Sequence, residues 1–128
     1  MASKFEIRET RGGGYRFVLK AGNGQIISTS QVYKTIATCK KGIASVKVNA
    51  PVHIEDQTVA AVNPLKNPKY ELYQGKAGEY RFRLCAKNGQ VIIASEAYGT
   101  KANCQNGIAS IGRNAPTAEV ILLAGEMD

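Results

Sequence analysis

Tyr15-Arg16-Phe17-Val18-Leu19-Lys20-Ala21-Gly22-Asn23-Gly24-Gln25-Ile26-Ile27 returns as Tyr80-Arg81-Phe82-Arg83-Leu84-Cys85-Ala86-Lys87-Asn88-Gly89-Gln90-Val91-Ile92, each residue at its own number plus 65. The correspondence extends without a gap over residues 4–51 and 69–116, and half of the aligned positions are identical. The chain therefore reads as a tandem duplication, repeat one at 1–62 and repeat two at 66–125, joined by a polar, proline-bearing link around Asn63-Pro64-Leu65-Lys66-Asn67-Pro68. Such a unit is small to stand alone. About 60 residues bury only about 60% of their unfolded surface, whereas about 125 residues approach two thirds, so the two repeats are expected to share one core.

Within the quoted stretch Tyr15, Phe17 and Leu19 alternate with Arg16, Val18 and Lys20, and Tyr80, Phe82 and Leu84 do the same with Arg81, Arg83 and Cys85. A period of two marks strands with one buried face and one polar face. Phe5 and Ile7, and Tyr70 and Leu72, mark a preceding strand in each repeat. Asn23-Gly24 and Asn88-Gly89 then predict tight type I′ hairpins into Gln25–Thr29 and Gln90–Ala94, because asparagine tolerates positive φ and glycine adopts it freely. Thr10 to Gly14, with three consecutive glycines, predicts a looser turn.

After Tyr33 the period lengthens. Ile36, Cys39, Ile43, Val46 and Ala50 fall on one helical stripe behind Thr35 as N-cap, and Thr100, Cys104, Ile108, Ile111 and Ala115 repeat it. Gly42 and Gly107 interrupt both helices, where glycine costs roughly 1 kcal/mol relative to alanine, which predicts a close approach to the sheet or to the twin helix. Asn49-Ala50-Pro51 and Asn114-Ala115-Pro116 stop the helices. A last strand follows at Val52–Gln57 and at Thr117–Leu123, giving β-β-β-α-β twice, an α+β chain.

Tyr80-Arg81-Phe82-Arg83-Leu84, Lys87-Asn88-Gly89-Gln90, Ser95-Glu96-Ala97-Tyr98 and Asn106-Gly107-Ile108-Ala109-Ser110 resemble the YegP-like family, small bacterial chains of unknown function that occur as single units or tandem pairs. The resemblance covers nearly the whole chain. It implies two β3-αβ units in one antiparallel sheet, with the helices on one face and the last strands exchanged between repeats. Gln31-Val32-Tyr33 departs from the acidic Ser-Glu-x-Tyr pattern, and Lys41 stands before Gly42 where the family has asparagine. The family carries no established activity or catalytic residue.

Composition narrows the function classes. With 44% hydrophobic and 21% charged residues the chain sits in the ordinary globular range. Met1-Ala2-Ser3-Lys4-Phe5-Glu6 does not lead into an apolar run, and no stretch approaches the roughly 20 apolar residues that cross a bilayer, so a cytoplasmic protein without membrane attachment is expected. Three widely spaced cysteines are no disulfide framework; Cys39 and Cys104 are expected as small core residues. The net charge is +7, made of nine Lys/Arg against four Asp/Glu in residues 1–65 and eight against six in residues 66–128.

The twinned polar residues are the natural candidates for function: Glu6/Glu71, Arg16/Arg81, Ser30/Ser95, Tyr33/Tyr98, Thr35/Thr100, Ser45/Ser110 and Asn49/Asn114. His53 is the lone histidine, opposite Ala118, and makes neither a zinc site nor a serine-activating base. Glu6 and Glu71 are expected to pair across strands with Arg16 and Arg81 rather than act as paired catalytic carboxylates. Gly12-Gly13-Gly14 lacks the Lys-Ser/Thr of a phosphate loop. Neither an enzyme nor a cofactor or metal site is expected. The leading expectation is a monomeric, non-enzymatic binding or interaction module with an unknown protein partner. The alternative is weak nucleic-acid binding on a basic plane of Lys4, Arg8, Arg16, Lys20, Lys69, Arg81 and Arg83, with Tyr73 nearby and the aromatics Tyr15, Phe17, Tyr80 and Phe82 turned to the core.

Overall fold

The computed structural model describes residues 3–127, and the side chains of residues 3–123. Each repeat begins with three strands, β1 (Lys4–Glu9), β2 (Tyr15–Lys20) and β3 (Ile26–Ser30) in the first, β5 (Lys69–Gln74), β6 (Tyr80–Cys85) and β7 (Val91–Ser95) in the second. Helices α1 (Ile36–Asn49) and α2 (Lys101–Asn114) follow, then the strands β4 (Ile54–Asp56) and β8 (Glu119–Met127). All eight strands form one sheet in the order β4-β5-β6-β7-β3-β2-β1-β8.

The last strands are exchanged, as the family resemblance implied: β4 pairs with β5 of the second repeat and β8 with β1 of the first. Both of these outermost ladders are parallel, so the sheet is mixed rather than antiparallel throughout. The helix between a repeat's third and fourth strands carries the chain back across the sheet, which allows the parallel pairing that no hairpin could give. The last strands also start later than expected, because residues 50–53 and the 3₁₀ turn Ala115–Thr117 prolong the turn beyond each helix.

Strands β3 and β7 join the repeats through the pairs Ser28↔Ser95, Thr29↔Ala94 and Ser30↔Ile93. Thr29 and Ala94 are each other's repeat equivalents, so an approximate twofold axis passes through that pair. Phe5, Ile7, Phe17, Leu19, Tyr70, Leu72, Phe82 and Leu84 turn one face of the sheet into the core, closed by Cys39, Ile43, Val46, Cys104, Ile108 and Ile111 from the helices. Cys39 and Cys104 are fully buried, and burial pushes both thiols up to about 11.

The hairpin turns differ from the type I′ expectation. Asn23 does not adopt positive φ; Gly24 alone does, at 86°. Gly24 N–H donates to Ala21 O (2.9 Å) and Ala21 N–H to Gln25 O (2.9 Å), a three-residue loop with a left-handed glycine at its end. Asn23 contributes through its side chain, whose Oδ1 accepts from Gln25 N–H at 2.9 Å. Thr10 to Gly14 closes with the same hydrogen-bond pattern, so it is no looser than the others. Both helices start where expected, with Thr35 and Thr100 accepting from the N–H of Thr38 and Asn103. Neither helix is long and apolar enough to cross a membrane, among the described residues.

Candidate functional site

Period two places Lys4, Arg8, Arg16, Lys20, Lys69, Arg81 and Arg83 on the sheet face away from the helices, in two groups, the first four on β1 and β2 and the last three on β5 and β6, with β3 and β7 between them. The register decides what they touch. Glu6 lies opposite Val18, not Arg16, and Arg16 lies opposite Arg8. Glu6 is instead reached by Arg8 Nη2 (2.9 Å), Lys20 Nζ (3.1 Å) and Lys4 Nζ (3.6 Å), which leave its carboxylate nearly covered. Burial works to raise its pKa, but hydrogen bonds from Arg8 and Lys20 outweigh it and the carboxyl ends below its ordinary value.

On the other wing Glu71 lies opposite Arg83 and pairs with it rather than with Arg81, which pairs with Glu79 at 3.0 Å. Lys69 bridges Glu55 (2.8 Å) and Glu71 (3.3 Å). Glu55 also accepts from Gln57 Nε2 and from the Leu65 N–H at 2.7 Å, fastening the inter-repeat loop to this face. Lys69 first, then Gln57 and Leu65, hold its carboxyl down to about 2. The Arg83 guanidinium stacks over the Tyr73 ring at 4.5 Å. The basic residues thus form two patches rather than one plane, and most of their cations are already engaged by carboxylates set among them.

On the helix side two clefts open along the seam between repeats. One is lined by Gln31, Tyr33, Thr38, Lys41, Gly42 and Ser45 of repeat one and by Ala86, Asn88, Gln90, Val91 and Ile92 of the β6–β7 hairpin, with a volume of about 210 Å³. Tyr98, Asn103, Asn106, Gly107 and Ser110 face Ala21, Asn23, Gln25, Ile26 and Ile27 across the other, about 460 Å³. Apart from Gln31, whose counterpart Glu96 is not part of it, the second lining is the twin of the first position for position. Each cleft is made half by the helix of one repeat and half by a hairpin of the other, because the β3–β7 junction sets each hairpin beside the opposite helix.

Each cleft floor is fixed by its own hydrogen bonds. Asn49 Nδ2 donates to Ser45 O (2.9 Å) and Oγ (3.1 Å), and Asn114 does the same to Ser110. Asn88 Oδ1 accepts from Gln90 N–H at 3.0 Å, as Asn23 does from Gln25. The Tyr33 ring lies against Gly42 and stacks on Phe17, and Tyr98 lies likewise against Gly107 and Phe82. This is the close approach that the two glycines announced, to a tyrosine and the sheet rather than to the twin helix. Burial raises both tyrosine hydroxyls above their ordinary value, so they stay protonated at neutral pH.

The sequence model of the domain of unknown function DUF1508 matches residues 11–53 and 76–121. The chain belongs to this family. Among its relatives, UPF0339 protein YegP of Shigella flexneri is 37% identical over 94% of this chain and 96% of its own length. A UPF0339 protein of Acinetobacter baylyi is 38% identical over 98% of this chain and all of its own length. The solution NMR structure of the protein of unknown function yegP from E. coli superposes with a TM-score of 0.80 at 35% identity, covering 98% of this chain and 97% of that one. The UPF0339 protein SO3888 of Shewanella oneidensis gives 0.79 at 31%, with 96% and 92% covered. These relatives supply a fold and no assigned activity.

Seen on this family fold, the remaining twinned candidates are structural. Ser30 Oγ accepts from Phe17 N–H (3.0 Å) and donates to Gln31 O (2.7 Å), and Ser95 does the same for Phe82 and Glu96, each serine standing in for a ladder partner where the strand turns away. Thr35 and Thr100 cap helices. His53 is exposed and stands apart from both clefts. The hairpin residues Asn23, Gln25, Asn88 and Gln90 were legible as a turn signal only. Their twinning was the available clue that they also face a cleft.

Proposed function

We propose that the protein is a non-catalytic, cytoplasmic binding module whose two repeats work as one domain, and that its binding sites are the two seam clefts. The recurrence of one lining on both seams supports this reading: a tyrosine hydroxyl, a serine, an asparagine and a glutamine converge on each hollow from two different repeats. No carboxylate, histidine or thiol lines either cleft among the described residues, which leaves hydrogen bonding, joined in the first cleft by the Lys41 ammonium, as the chemistry on offer. A thermal-shift screen of small polar metabolites against the full chain tests it. Hits should raise the midpoint of the wild type and fail to do so for Ser45→Ala with Ser110→Ala. Hits indifferent to that double variant, or chemical conversion of a hit seen by mass spectrometry, would overturn the reading.

One observation favours a second reading, weak nucleic-acid binding on the open face: Arg83 and Tyr73 form a stacked pair there. Anisotropy of a labelled single strand should then fall steeply with salt and be lost in Arg81→Glu with Arg83→Glu. Retention of binding in that variant removes this reading.

A further inference from the structure

We propose that the cleft between α1 and the β6–β7 hairpin is a site for a small oxyanion, a carboxylate or phosphate group, and that its twin across the pseudo-twofold axis is not. The inference rests on the binding reading above and adds the ligand's charge and the inequality of the two clefts. Its first support is the direction of the hydrogen bonds already made. Ser45 Oγ accepts from Asn49, and Asn88 Oδ1 accepts from Gln90 N–H, so what remains to face the cleft is the Ser45 hydroxyl proton and the Asn88 amide N–H groups. The Tyr33 hydroxyl, kept protonated by burial, adds a third donor. Three donors thus converge on the hollow beside the amides of Gln31 and Gln90, and they suit an acceptor-rich group.

The second support is charge. Lys41 lines this cleft and makes no ion pair among the described residues, and no acid is present in the lining to neutralise it. Charge-assisted hydrogen bonds to an oxyanion are about twice as strong as neutral ones. The twin cleft has the same serine, asparagine and tyrosine, but Asn106 stands where Lys41 does. Glu96, the repeat equivalent of Gln31, lies outside that lining but close enough to raise the Tyr98 hydroxyl further. The two clefts therefore share their serine, asparagine and tyrosine donors and differ in charge, since Lys41 puts a cation in the lining of the first and the lining of the second has none. At about 210 Å³ the charged cleft is below the usual range for drug-sized ligands, which fits a small anion or the anionic end of a larger molecule.

The test is an amide NMR titration of the full-length chain with inorganic phosphate, acetate and neutral acetamide in separate arms. Phosphate or acetate should move the signals of Lys41, Gly42, Ser45 and Asn88 to Gln90 while leaving Asn106, Ser110 and Asn23 to Gln25 in place, and the stronger arm names the oxyanion. Lys41→Gln should weaken that response about tenfold. Asn106→Lys, on an exposed helix position, should make the second cleft respond. Equal response of both clefts, a response centred on Lys4, Arg8 and Lys20, or an unaltered affinity in Lys41→Gln overturns the proposal. Response to acetamide alone overturns the oxyanion assignment and leaves the binding reading standing. Silence in all three arms overturns the oxyanion proposal, and the binding reading then stands or falls by the metabolite screen.

Discussion

Gly107 is kept bare by its neighbours. A Cβ built there would meet the Tyr98 hydroxyl, with the ring Cζ at 2.9 Å and Phe82 Cε2 at 3.2 Å, and both rings are wedged between helix and sheet. Gly107→Leu gains roughly 1 kcal/mol in helix propensity but overpacks the seam, which costs about as much again or up to ~3 kcal/mol for the first added carbons alone. With the overpacking at ~3 kcal/mol the net loss is about 2 kcal/mol, which lowers the melting midpoint by about 6 °C. Gly107→Ala should be markedly less costly in a Tyr98→Phe background, and a double-mutant cycle by urea unfolding measures the coupling, about 0.5 kcal/mol or more. Additive effects would show that the hydroxyl is not what the glycine makes room for. Tyr70 gives a second residue-level expectation. Its fully buried hydroxyl donates to Ala50 O at 2.8 Å, so Tyr70→Phe strands the Ala50 carbonyl of α1's C-cap and should cost about 1–2 kcal/mol in the same assay. The position before duplication offers no warning of this, since its twin Phe5 has no hydroxyl and Lys47 lies over its ring instead.

At the scale of elements, the open face carries a pH dependence. Glu55, held from its ordinary 4.5 to about 2, and Glu6 and Glu71, each shifted down, bind protons more weakly in the folded chain than in the unfolded one. Their contribution is present above about pH 4.5 and is lost as the pH falls toward 2. Urea midpoints should hold level from pH 7 to 5 and decline below 4.5; Glu55→Gln should flatten part of that decline, and an equally steep decline in the variant would refute the assignment. How much of these elements was legible is uneven. Alternation at Tyr15 to Lys20 and the stripe through Cys39 and Ile43 specify strand and helix directly, because burial of one face imposes the period. Strand direction was not legible: period two is the same for parallel and antiparallel neighbours, and β8 beside β1 is parallel only because of where α2 delivers it. The ion-pair partners failed for the same reason, since Glu6 opposite Val18 follows from register and not from sequence spacing. The clefts were legible only as twinned residues, because Lys41 and Asn88 are brought together by the order of strands in the sheet.

For the whole molecule, the exchanged strands make each half depend on the other. Residues 1–62 alone would lose β8 from the edge of β1 and leave β4 with no β5 to pair with. That fragment is expected to dimerise, each copy lending its last strand to the other, or to remain unfolded. Analytical ultracentrifugation with circular dichroism decides it: a folded, monomeric half-chain would sink the idea that both halves form one cooperative body. The axis through Thr29 and Ala94 has a further consequence, which concerns inheritance. In an assembly of two identical short chains every mutation is written on both sides of the axis at once, so a charge gained at one seam is gained at its mate and any harm is doubled. A single gene that spells both halves frees them from that copying. One seam can acquire Lys41 while the other keeps Asn106, and selection can try a new occupant at one without surrendering the old one at the other.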